Sequence, residues 1–175
     1  SYVITTEDAD GDDVTLTATT KPSWLILNNK GEVTTLAGKV LEFGDEDGTG
    51  TAASFYTPSG VAVDGAGNVY VADSYNHKIR KITPAGKVTT FAGSGNVGSE
   101  DGEGTAASFY YPYGVAVDKN GNVYVADSGN NKIRKITPEG VVSTFAGSGS
   151  YDSTDGVGTA ASFANPLGVA VDAAG

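Results

Sequence analysis

The chain has no cysteine and no methionine, and only one histidine and one tryptophan in 175 residues. Without cysteine there is no disulfide framework, no thiol nucleophile and no thiolate metal site. The compartment stays open, because exported proteins also do without it. The lone histidine, His77, cannot build a multi-histidine zinc site within these residues. Without methionine the chain carries no initiator. It opens on a strand-like run and stops at Gly175, where earlier copies of the same motif enter their next strand, so both ends are expected to be cuts through a longer protein. No apolar run is long enough to cross a bilayer, and no membrane insertion is expected. Positive charge is scarce: 11 lysines and arginines face 21 acids, a formal net charge of −10. Nucleic acid and anionic membranes demand clustered cations, so both are disfavoured as partners. No Ser/His/Asp arrangement, phosphate-binding glycine loop or Walker pattern is present.

What is present is a repeat. Phe55, Phe109 and Phe163 open three copies of one pattern, 54 residues apart, followed by Pro58, Pro112 and Pro166 and by Gly60, Gly114 and Gly168. Between the first two copies roughly three quarters of positions are identical, so each copy is expected to pack in an environment like its own. Within a copy, residues 60–64, 69–72, 78–83 and 87–92 read as short strands separated by Gly/Asn/Pro turns. No stretch has helical periodicity over ten residues. The expected fold is all-β: four-stranded antiparallel meanders stacked as β-propeller blades in an incomplete ring. Val61, Val63, Val69, Val71 and Ile79 supply the alternation to be buried between blades.

The stretches PSGVAVDGAGNVYVADSYNHKIRKI and PYGVAVDKNGNVYVADSGNNKIRKI resemble NHL repeats, and the FAGSG and DGEGTAASF segments are similar to the subfamily with long inter-blade loops. The resemblance covers residues 55–175 well and 31–54 moderately. It implies blades over residues 60–113 and 114–167, each with its long loop, an inter-blade loop over 39–59 and the first strand of a further blade over 168–175. Residues 1–38 fit two readings. Runs at 2–6, 14–18, 24–28 and 33–37 supply four strands of a diverged blade, with Gly31 matching Gly86 and Gly140. ITTEDADGDDVTLTATTKPSWL resembles the end of a cadherin-like or bacterial Ig-like domain.

In an antiparallel meander the connections alternate between the two ends of the strands. One face therefore collects residues 73–77 and the long segments 94–113 and 148–167, with Tyr56, Tyr75, Tyr110, Tyr111, Tyr113 and Tyr151; the other has tight turns. Long loops need a reason, commonly recognition. Tyr75, Tyr110, Tyr111 and Tyr113, beside Asp101, Glu103 and Asp155, are the candidate ligand-binding residues. Phe109 reads as a plug between blades, and His77, which is Asn131 in the next copy, as a turn residue. Asp73 and Asp127 end strands at positions where Arg80 and Arg134 can pair with them. The KIRKI strands hold six of the basic residues. Some intracellular members of the resembled family bind RNA on such a face, which the acidic balance opposes here.

Asp8, Asp10 and Asp12 flank Gly11 in a run like part of a calcium loop, without the distant glutamate of a complete EF-hand. They are the candidate metal ligands, and calcium the candidate cofactor. The function expected is non-catalytic binding or scaffolding in a large secreted or cell-surface protein, recognising protein or glycan through the long-loop face. Two alternatives stand beside it. One is a structural module that associates with itself or packs on the remainder of its parent. The other is a piece of a metal-dependent lactonase-like or lyase-like enzyme whose active site lies in missing blades.

Overall fold

The structure, a computed structural model, describes residues 2–3, 17–18, 34–39 and 42–172. The chain divides into two compact units, Ser1–Thr35 and Leu36–Gly175. In the first, β1 (Tyr2–Val3) pairs antiparallel with β2 (Thr17–Ala18). The candidate calcium ligands Asp8, Asp10 and Asp12, and the expected strand at 24–28, lie outside the described residues.

The second unit is two copies of one sheet. β3 (Gly48–Thr49), β4 (Pro58–Val63), β5 (Val69–Asp73), β6 (Lys78–Ile82) and β7 (Lys87–Ala92) form the first, in the order β3-β7-β6-β5-β4. β8 (Gly102–Glu103), β9 (Pro112–Val117), β10 (Val123–Asp127), β11 (Lys132–Ile136) and β12 (Val141–Ala146) repeat that order. Consecutive strands from β4 to β7 and from β9 to β12 make the expected four-stranded meanders. The fold is all-β, and its sheets are not closed into a ring.

Each sheet also gains a fifth strand, which sequence does not signal. Gly102–Glu103 pairs with Val142 and Val141, so the long segment after blade one becomes the outer edge of blade two. Two residues beside glycines carry no period-two pattern, and backbone pairing with an existing edge creates the strand. The segment then makes a 3-10 turn, Gly104–Ala106. The Gly104 N–H donates to the Gly140 carbonyl at 2.9 Å, and the Gly104 carbonyl accepts from the Gly93 N–H at 3.0 Å. One turn thereby ties the outer strands of adjacent blades together.

Between the sheets lies the main core. Tyr70, Ala72, Ile79 and Ala92 of the first meet Val115, Val123, Val125, Ile136 and Val142 of the second, with Phe109 fully buried among them. A smaller cluster on the other side of blade one, Ala53, Val71, Ile82 and Val88, is the repeat-equivalent of the second sheet's share. One expectation is corrected. Val61 and Val63 are 67% and 45% exposed, whereas Val115, the counterpart of Val61, is 8% exposed. Both valines sit in the same GVAVD stretch, and Val115 has the first sheet packed against it.

The inner strands β4 and β9 approach closely at glycine. A Cβ on Gly60 would collide with the Tyr113 carbonyl oxygen, and one on Gly114 with that of Leu167. Residues 166–172 repeat the wording of an inner strand and make its inter-blade contacts. They carry no strand ladder.

Candidate functional site

The site begins at the turn between β5 and β6. Asp73 ends β5, Ser74–Asn76 forms one 3-10 turn, and His77 closes it in the left-handed region at φ 53°. The buried Asp73 carboxylate organises this corner: it accepts from the Tyr56 N–H at 2.7 Å, from Asn76 Nδ2 at 2.9 Å and from Arg80 at 2.8 Å. Blade two repeats the corner with Asp127, Tyr110, Asn130 and Arg134. Burial pushes the Asp127 carboxyl above the usual carboxylate range, against the opposing pull of those donors.

Arg80 and Arg134, both 0% exposed, pin the long segments beneath the site. Arg134 donates to Asp127 and to the Ser108 carbonyl through one terminal nitrogen, and to Asp101 at 2.6 Å and the Glu100 carbonyl at 2.9 Å through the other. Its guanidinium lies 5.3 Å from the centre of the Phe109 ring. Arg80 does the same with Asp73, Ser54, Asp47, Glu46 and Phe55. Only a planar fork with several donors can serve so many acceptors at once.

Asp101, grouped by sequence with the tyrosines, therefore belongs to this fastening. It also accepts from the Thr144 hydroxyl at 3.2 Å. Burial raises its pKa, but Arg134 and Thr144 outweigh that and hold it below the ordinary range. Glu103 stands on β8, at the opposite sheet edge from the segment bearing Tyr110 and Tyr111. Asp155 is exposed at the position equivalent to Asp101 in the third copy. Asp101 and Glu103 are thus not brought together with the tyrosines.

The tyrosines are brought together, and extended. Phe43 and Tyr56 have ring centres 5.0 Å apart, Tyr56 and Tyr75 5.0 Å, and Tyr75 and Tyr111 5.1 Å. His77 lies 4.9 Å from Tyr111 and 5.9 Å from Tyr110, closing a run of six rings across both blades. Phe43 is 77% exposed and Tyr75 49%. Tyr113 presents an exposed ring near the inner strands, while its carbonyl accepts from the Ser59 hydroxyl at 3.0 Å. Sequence reasoning missed Phe43. The available signal was that Phe43, Val97 and Tyr151 share one repeat position, each bridged to a phenylalanine twelve residues on.

The KIRKI strands do not form a cationic face. Both arginines are buried, Lys78 pairs with Asp45 at 2.6 Å, and Lys81 and Lys135 lie over the Tyr70 and Tyr124 rings. Asp64 and Asp118 accept from their own turns, including Asn68 and Asn122. Among the described residues no group of three or more acids and histidines is placed to hold a metal. Calcium remains an expectation for Asp8, Asp10 and Asp12.

His77 holds the seam. Its Nδ1 accepts from the Tyr111 N–H at 3.2 Å, the task that Asn131 Oδ1 performs for the Asn165 N–H at 2.9 Å. Accepting there requires a neutral ring. Burial lowers the His77 pKa, so its stabilising contribution is full above the ordinary imidazole value of about 6.5 and is lost as pH falls through the folded value. The melting temperature should fall on acidification through that window, and His77→Asn, copying Asn131, should flatten the fall. Parallel melts from pH 8 to pH 5 check this, and identical slopes would refute it.

These features define a class: antiparallel β-propeller blades with an exposed aromatic run on the loop face. Residues 55–82 match the NHL repeat, and residues 95–164 match the teneurin NHL domain. The chain thus carries NHL repeats. NHL repeat-containing protein 2 of Bos taurus is 44% identical over 104 residues, covering 57% of this chain and 14% of that protein. A probable peptidyl-alpha-hydroxyglycine alpha-amidating lyase of Caenorhabditis elegans is 35% identical over 118 residues, covering 66% of this chain and 31% of that protein. Among solved structures, an auxiliary nutrient binding protein from Bacteroides thetaiotaomicron superposes with a TM-score of 0.56 at 24% identity, over 69% of this chain and 33% of that one. The chain thus spans less than a third of each curated relative, and the solved structure supports the fold alone.

Proposed function

We propose that the chain is a non-catalytic binding segment of a larger secreted or cell-surface protein, recognising protein or glycan through the aromatic run. The carrying observation is the run itself: six rings from separate segments of two blades converge on one surface, with several left exposed. Contiguous exposed aromatic surface of this kind marks recognition, since a tyrosine supplies large contact area and a polar tip at low entropic cost. The supporting acids proposed from sequence are reduced to Asp155, because Asp101 is held by Arg134.

Whatever partner is captured, Tyr75→Ala and Tyr111→Ala should each weaken it by about 1–2 kcal/mol or more, as buried aromatic anchors do. Ala66→Ser and Ala85→Ser, in turns of the opposite face, should leave it unchanged. Titration calorimetry on the four variants decides the face, and the reverse pattern would overturn the assignment.

A second reading draws on the amidating-lyase relative: the parent is a propeller enzyme with its active site in other blades. Turnover of a peptidyl-alpha-hydroxyglycine by the full-length parent would favour it.

A further inference from the structure

We propose that the occupant of the aromatic run is a neutral glycan chain laid across the seam between the two blades, an inference that rests on the binding function above. The run is built of Phe43, Tyr56, Tyr75, Tyr111, His77 and Tyr110, and none of its members is an acid, a lysine or an arginine. Lys78, next in the chain to His77, is engaged by Asp45. Anionic chains meet a protein of net charge −10 with no free cation in the run to hold them. Among the described residues, the hydroxyls of Tyr56, Tyr75, Tyr110 and Tyr111 make no intramolecular hydrogen bond. Apolar faces and free hydroxyls therefore occur side by side, which is also the composition of a pyranose ring.

The geometry favours a chain over a small molecule. Neighbouring ring centres are 5.0–5.1 Å apart from Phe43 through Tyr56 and Tyr75 to Tyr111, a stride comparable to one sugar unit. Successive planes are inclined by 36°, 43° and 64°. A proline-rich peptide docks in slots between aromatic rings, whereas inclined rings in mutual contact leave no such slot. A sugar chain, with C–H faces and hydroxyls on every side, can use edge and face alike.

Differences between the two near-identical copies fall on these positions. Blade two has Val97 for Phe43, Gly129 for Tyr75 and Asn131 for His77, while Tyr111 is Thr57 in the copy before and Asn165 in the copy after. Gly129 matters locally, because a Cβ there would strike the Tyr110 ring. The run is thus a departure of one blade from its own repeat.

The same comparison supplies variants with a fold already precedented in this chain: Phe43→Val, Tyr75→Gly and Tyr111→Asn. The full chain and the triple variant, with matched circular dichroism, are titrated with a β-1,4-linked glucan, a β-1,4-linked xylan, an α-1,4-linked glucan, polygalacturonate and a proline-rich peptide. The expected result is binding of at least one neutral polysaccharide, weakened at least tenfold in the triple variant and unaffected by Ala66→Ser in a turn of the opposite face. Binding of the peptide alone at the run would overturn the glycan assignment and leave the binding function standing. Neutral-glycan binding that survives the triple variant, preference for polygalacturonate, or no binding of any neutral chain would also overturn it.

Discussion

Arg134→Met should cost about 3–5 kcal/mol of unfolding free energy, because it removes one partner of a fully buried ion pair and strands the other. Asp127, also 0% exposed, would be left with only the Tyr110 N–H and the Asn130 amide as partners, and must either bury an unpaired charge or take up a proton. The Ser108 and Glu100 carbonyls would lose their donor in the same step. Arg134→Lys should recover little, since a single ammonium cannot reach acceptors on both sides of the fork. Urea unfolding followed by circular dichroism measures the loss. Limited proteolysis should show residues 94–106 cut first in the variant, because Arg134 is what binds that segment through Asp101 and Glu100. A loss below about 1 kcal/mol would mean that the strand ladder alone holds the segment.

Phe109→Ala is expected to match that effect, at about 3–5 kcal/mol, through a cavity instead of a charge. Phe109 is 0% exposed, sits in the core between the blades and lies under the Arg134 guanidinium. Phe55 and Phe163 stand at the same repeat position but are only partly buried. Their alanine variants should cost less, because a side chain that is already partly exposed leaves a space that water can fill. The three denaturation midpoints, compared side by side, test whether burial or residue type sets the cost. Equal losses at all three would rule out burial as the cause.

Much of this architecture is legible in the wording of the repeat. Val69 to Asp73 and Lys78 to Ile82 are short runs rich in β-branched and aromatic residues, set between turns marked by glycine and asparagine, so strand order and meander connectivity follow from local pattern. Asp73 with Arg80 and Asp127 with Arg134 are likewise foreseeable, since one strand-to-strand turn separates them. What escapes is whatever depends on a neighbour in space. Val61 and Val115 share the local sequence GVAVD and have opposite exposure. Asp101 looks like a free loop acid until Arg134 is seen 2.6 Å away, thirty-three residues along the chain. Gly102–Glu103 becomes a strand only because Val141–Val142 offers an edge. Phe43 joins the aromatic run only because Tyr56 lies beside it. Long-range contacts of this kind leave no periodic trace.

The placement of β8 bears on how a blade comes into being during synthesis. Gly102–Glu103, one border of the second sheet, leaves the ribosome first, and β9, the other border, follows it. β10 and β11 then add in turn, and β12 arrives last to slide into the single vacancy between β11 and β8. The sheet is therefore framed before it is filled. A nascent chain arrested anywhere before Ala146 keeps an open slot, and the final strand completes two ladders at once, making the last step of blade assembly the cooperative one.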